Sequence, residues 1–188
     1  MDALLFAFVA AALVGIGDQT QVLAGTLSAR GGRPGAVLAG MAIAASVMAA
    51  IAFLAGSFVS DMVGVRARTQ FVALALAFAG VTGLMKPEPL KWAERFRWGG
   101  FLGALLFGSY AAASGRIQFM TFAFAARAEA PALAAIGGAL GLLAAAAPAA
   151  LLGDKYLALN LRPARTAIGI VLLLGGALVF LNAPPPTL

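Results

Sequence analysis

Apolar residues run through this chain in six blocks, at 3–27, 36–59, 69–85, 99–126, 132–152 and 164–181. The gaps between them are short and hold the punctuation: "ARGGRPG", "SDMVGVRAR", "KPEPLKWAERFRW", "ARAEAP" and "GDKYLALNLRP". A helix needs about 20 residues to cross the hydrocarbon core of a bilayer. The pattern therefore predicts six membrane-spanning helices, the third of them short. Pro34, Pro131 and Pro163 fall where helices should begin, a position at which the missing N–H costs nothing. The first block resembles a signal peptide in its apolarity, but it lacks a basic leader and continues past Asp18, so it reads as a retained first span. The proline-rich tail, 183–188, should be a short extended end.

Composition agrees with this reading. Of 188 residues, 62% are hydrophobic and only 11% are charged, against about 25% charged in a soluble domain. Without cysteine or histidine, Ser-His-Asp and Cys-His catalytic units are excluded, and zinc, haem and iron–sulfur sites lose their usual ligands. No nucleophile–base set can be assembled, so the sequence predicts neither an enzyme nor a resident cofactor. The net charge of +6 sits mostly in the loops, where it reports topology and not nucleic-acid binding. Loops one, three and five hold nine Lys and Arg, and the opposite side holds three. The positive-inside rule puts the richer side in the cytoplasm and both termini outside, which describes a multi-pass protein of the cell's inner (plasma) membrane. Arg116 falls within the fourth block.

The chain also repeats itself. Displaced by 97 residues, Gln21 falls on Gln118, Ala29-Arg30 on Ala126-Arg127, Pro34 on Pro131, Gly40 on Gly137, Gly56 on Gly153 and Arg68-Thr69 on Arg165-Thr166. Each half holds three spans, an odd number, so the copies must insert upside down relative to each other. The expected fold is an all-α membrane protein, six transmembrane helices as two inverted three-helix repeats. In this scheme 1–188 is a single membrane domain: repeat one 1–85, a cytoplasmic linker 86–98, repeat two 99–182 and the tail. Inverted repeats are an architecture of secondary transporters, whose sites lie near the midplane where equivalent helices meet. Spans one and four should then touch, with Gln21 close to Gln118. The small residues of spans two and five, "GMAIAASVMAA" and "GGALGLLAAAA", permit close packing within one bundle or a homodimer.

The polar residues inside the blocks carry the candidate chemistry. Asp18 lies about halfway along span one, where an unpaired charge costs at least ~2.5–3.5 kcal/mol and so should face the interior with a partner. Thr20 and Gln21 follow it, with Gln21 on a similar helical face. In span four Ser114, Gln118 and Thr121 form a stripe at helical spacing, and Arg116 is the other strong charge at that depth. Two readings stand side by side. One is glue between helices, with Asp18–Arg116 as a structural ion pair. The other is an ion or substrate path lined by Asp18, Thr20, Gln21, Ser114, Gln118 and Thr121.

These residues resemble a known family of small membrane cation exchangers, whose eukaryotic members act as Golgi manganese/calcium transporters, within the lysine-exporter superfamily. The family hallmark is a pair of repeats, each with Glu-apolar-Gly-Asp-(Lys/Arg)-(Thr/Ser). "GDQTQVLAGTLSARGGRPGAVLAG" resembles the first copy, and "SGRIQFMTFAFAAR" followed by "APAALLGDKY" resembles the second. Gly17, Asp18 and Thr20 match the first motif, while Gly15 stands at its glutamate position and Gln19 at its basic position. In the second, Arg116 matches, whereas Ala112, Ser114, Gly115 and Ile117 depart. The resemblance implies exchange of a divalent cation, manganese before calcium, for protons, with Asp18 as the metal ligand. Two complete motifs would supply excess carboxylate, whereas Asp18 and Arg116 sum to zero. Two alternatives follow: a transport-inactive homologue or partner subunit closed by an Asp18–Arg116 pair, or a transporter of a non-metal solute.

Overall fold

A computed structural model describes residues 1–31, 33–85 and 99–184. The linker 86–98, with Lys86, Lys91, Arg95 and Arg97, lies outside the described residues, as does the end of the tail. Nine helices are described: α1 (Asp2–Gly15), α2 (Gln19–Ala29), α3 (Pro34–Met62), α4 (Val65–Leu84), α5 (Gly100–Ser114), α6 (Arg116–Arg127), α7 (Pro131–Leu152), α8 (Asp154–Leu157) and α9 (Arg162–Leu181). Pro34 and Pro131 open α3 and α7, and Pro163 lies in the first turn of α9. Gly153, with φ +50°, ends α7 in a conformation that favours glycine.

The protein is an all-helical, multi-pass membrane protein. α3, α4, α7 and α9 are each long and apolar enough to cross a bilayer, and α1 with α2 makes a fifth span if the bent pair is counted as one. Two of the six predicted spans are not continuous helices. The block 3–27 breaks between Gly15 and Gln19, and the two parts meet at 65°. The block 99–126 breaks at Gly115 into α5, 15 residues long, and α6, 12 residues long. At 1.5 Å per residue α5 reaches about 22 Å, short of the ~30 Å hydrocarbon core. Hydropathy alone misses both breaks, because the flanking residues stay apolar across them.

The outer surface is greasy, with Leu5, Leu54, Phe58, Val171, Leu174 and Leu178 exposed to the surroundings, as lipid contact requires. The interior is built from small side chains, with Ala11, Ala24, Ala75, Ala104, Ala111 and Ala146 fully buried. α1 packs along α7, and α5 packs along α3. Glycine makes these approaches close: a Cβ on Gly40 would meet the Phe101 carbonyl at 2.5 Å, and one on Gly137 would run into the Leu4 carbonyl. The small residues of α3 and α7 are thus used inside one chain.

Candidate functional site at the helix breaks

Gly17 adopts φ +68°, which turns the chain sharply after α1. Asp18 follows in extended conformation and caps α2. Its Oδ2 accepts from the Thr20 amide at 3.4 Å and the Thr20 hydroxyl at 3.0 Å. The carboxylate is therefore not on the face of a continuous helix, as the sequence suggested, but at the start of a new one. The break frees the Gly17 amide, which donates to Gln21 Oε1 at 2.7 Å. Gln21 Nε2 donates to the Ala145 carbonyl of α7, and the Tyr156 hydroxyl donates to Gln21 Oε1. Burial pushes the Tyr156 hydroxyl above its ordinary range, so it remains a donor at neutral pH.

The second break faces the first. Arg116, the first residue of α6, places Nε 3.3 Å from Asp18 Oδ1, and each residue is only 7% exposed. The contact is one of charge: Nε makes no hydrogen bond. Arg116 Nη2 instead donates to the Ile16 carbonyl at 3.2 Å, a group freed by the end of α1. Gln19 links the two breaks by donating to the Ala111 carbonyl at 3.0 Å and to Ser114 Oγ at 3.1 Å. Asp18, Gln19, Ser114 and Arg116 line one cavity of about 240 Å³.

The expected polar stripe does not persist, because Ser114 closes α5 while Gln118 and Thr121 belong to α6. Gln118 Nε2 donates to the Met48 carbonyl of α3 at 2.9 Å and borders an apolar groove with Phe119 and Phe122. Thr121 donates to the Ile117 carbonyl at 2.8 Å and sits against Gly138 of α7. Gln21 and Gln118 do not bond to each other; each reaches a different long helix. Arg165 is the residue that sequence reasoning missed. Counted there as a loop charge, it is 9% exposed, packs on Gly17, donates from Nε to the Gly83 carbonyl at 2.9 Å and lines the same cavity. The one signal for it was the repeated Arg-Thr pair at 68–69 and 165–166.

Among the described residues no group of three or more carboxylate, histidine or cysteine side chains is gathered to hold a metal. The site instead offers one carboxylate, two guanidinium groups and neutral oxygens. It can exchange partners at a single buried carboxylate.

Comparison with curated proteins finds no match, and comparison with solved structures finds none. Residues 3–89 match the family described as divalent cation/proton antiporter GDT1. That stretch includes the first break with Gly17, Asp18, Gln19, Thr20 and Gln21, but neither Arg116 nor Arg165. Over residues 3–89, a little under half of its length, the chain is similar to the GDT1 divalent cation/proton antiporter family, a family of transporters.

Proposed function

We propose that this chain is a secondary transporter that exchanges divalent cations, manganese before calcium, for protons at the paired helix breaks. Asp18 is the exchanging group. The observation that carries this reading is its contact with Arg116 at 3.3 Å in a buried break. A single carboxylate can hold a guanidinium, a metal ion or a proton, and buried ionisable groups in membrane helices mark such paths. Arg116 is the resident counter-charge when no cargo is bound. Thr20, Gln19 and Ser114 add neutral oxygens, which hard cations accept alongside carboxylate.

The reading includes six spans in two inverted repeats, with α1–α2 and α5–α6 as two broken spans. Several observations support it. Helices begin at 19 and 116, at 34 and 131 and at 65 and 162, each pair 97 residues apart. Gln21 donates to the carbonyl of residue 145 and Gln118 to that of residue 48, the same displacement with the halves exchanged. Gly137 against Leu4 and Gly40 against Phe101 repeat the relation. In this arrangement the membrane is the cell's inner membrane, loops one, three and five face the cytoplasm and both termini lie outside.

A second reading has a specific observation behind it: the same Asp18–Arg116 contact neutralises the one carboxylate, as a closed, transport-inactive homologue would require. Manganese and proton flux in proteoliposomes separates the two. The transporter reading expects manganese-dependent flux that falls at least tenfold in Asp18→Asn. Absence of flux for every divalent metal tested, in the unaltered protein, would replace it with the inactive homologue.

A further inference from the structure

A second cavity, of about 580 Å³, adjoins the charge pair between α2, α8 and the start of α9. Its lining includes Gly17, Tyr156, Asn160, Arg162 and Arg165. It shares Gly17 and Arg165 with the smaller cavity that holds Asp18 and Arg116. Across the two, three arginines face one carboxylate. That carboxylate is already engaged by Thr20 and Arg116. Among the described residues no acidic side chain makes a salt bridge with Arg162 or Arg165. Arg165 is buried, yet the sole hydrogen bond of its side chain among the described residues runs from Nε to the Gly83 carbonyl. Its terminal nitrogens are left for the cavity.

The cavity also lies at the first turn of α9, which has no acidic residue; the Arg162 amide there donates to Asn160 Oδ1 at 3.2 Å and the Arg165 amide to the Leu161 carbonyl. The start of a helix carries partial positive charge. Guanidinium groups match planar or tetrahedral oxyanions through paired N–H donors. A cationic pocket with unused donors, beside a membrane core that penalises unpaired charge, asks for an anion.

We infer that this cavity binds a small oxyanion, phosphate- or carboxylate-like, between Arg165 and Arg162. The anion neutralises the excess positive charge at the mouth of the site. The inference stands apart from cation exchange, since it requires only that the two arginines present their donors to the cavity. The same chemistry has two sources, a free oxyanion and the headgroup of an anionic lipid, and the cavity's place at the end of α4 and the start of α9 admits either.

The test is thermal unfolding of the detergent-purified protein at constant ionic strength. Sodium phosphate is exchanged for sodium chloride in one arm, and micelles containing short-chain phosphatidylglycerol are exchanged for neutral ones in the other. The unfolding midpoint should rise with concentration in at least one arm, and the arm that responds identifies the source. Arg165→Gln should weaken the apparent affinity at least tenfold. Arg162→Gln, an exposed position that leaves the packing intact, should weaken it several-fold. Asp18→Asn should preserve or strengthen it, because a competing negative charge is removed. A midpoint that moves in neither arm overturns the inference, as does unchanged affinity in Arg162→Gln. Manganese flux retained without anion binding would sink this inference alone. Anion binding retained without flux would sink only the cation-exchange reading.

Discussion

At the scale of residues, the centre of the molecule is one carboxylate with two duties. Asp18 caps α2 through Thr20 and faces Arg116 across the break. The two duties separate by substitution. Asn still caps a helix well, so Asp18→Asn keeps the first and loses the second. Breaking a buried pair by removing one partner typically costs ~3–5 kcal/mol, because the remaining charge is stranded. Asp18→Asn leaves Arg116 and Arg165 together without an anion, and Arg116→Gln leaves Asp18 with Arg165 as its nearest positive neighbour. Both single substitutions should lower the unfolding midpoint in detergent, Asp18→Asn the more, and the double variant should recover most of the loss from Arg116→Gln with Asp18→Asn combined. Strictly additive losses would mean that the contact at 3.3 Å carries no coupling energy.

At the scale of elements, glycine decides where helices touch. A Cβ on Gly40 would lie 2.5 Å from the Phe101 carbonyl, with the Ala104 methyl at 2.9 Å. Neither the backbone nor an alanine can swing aside, so α3 and α5 would have to separate. Nothing lies within 4 Å of a Cβ on Gly175 in α9. Gly40→Val should therefore destabilise by at least ~1–3 kcal/mol, while Gly175→Ala should be neutral or gain up to about 1 kcal/mol from helix propensity. Unfolding midpoints in one detergent compare the two directly, and equal tolerance would show that the α3–α5 contact is not tight. The same scale shows what the sequence makes legible. Helix starts at Pro34 and Pro131 can be read because proline is tolerated there for a local reason. The break at Gly17-Asp18 had a local signal too, a glycine followed by an N-cap residue, hidden inside an apolar block. The break at Gly115 has none: its φ is −85° and no side chain caps α6. Arg165 reads as a loop charge because it falls in the first turn of its helix. Its burial comes from Gly17 and Gly83, distant in sequence, and no local pattern encodes that contact.

At the scale of the whole molecule, most packing is exchanged between the halves. α1 packs on α7 as α5 packs on α3, α2 on α7 as α6 on α3, and α1 on α6 as α5 on α2. The relation breaks most clearly at α4. α4 rests on α6 through edge-to-face rings, Phe71 with Phe119 and Phe122, and Phe78 with Phe119. Its counterpart α9 stands off from α2, and the 580 Å³ cavity occupies the space between. Under the inverted-repeat reading, an alternate state exchanges these contacts: α9 closes on α2 while α4 leaves α6. Each aromatic pair holds about 0.5–1.5 kcal/mol beyond its buried area, small enough for a cargo ion to shift the balance. The chain has no cysteine, so a pair introduced at Phe71 and Phe122 can be bridged without competing thiols. A short thiol-reactive linker between those positions should hold α4 on α6 and cut manganese flux at least tenfold, with flux returning when a cleavable linker is reduced. The unbridged double-cysteine variant should transport, which separates loss of motion from loss of fold. Undiminished flux in the bridged protein would mean that α4 and α6 move as one body and that the open side of the molecule is not half of an exchange.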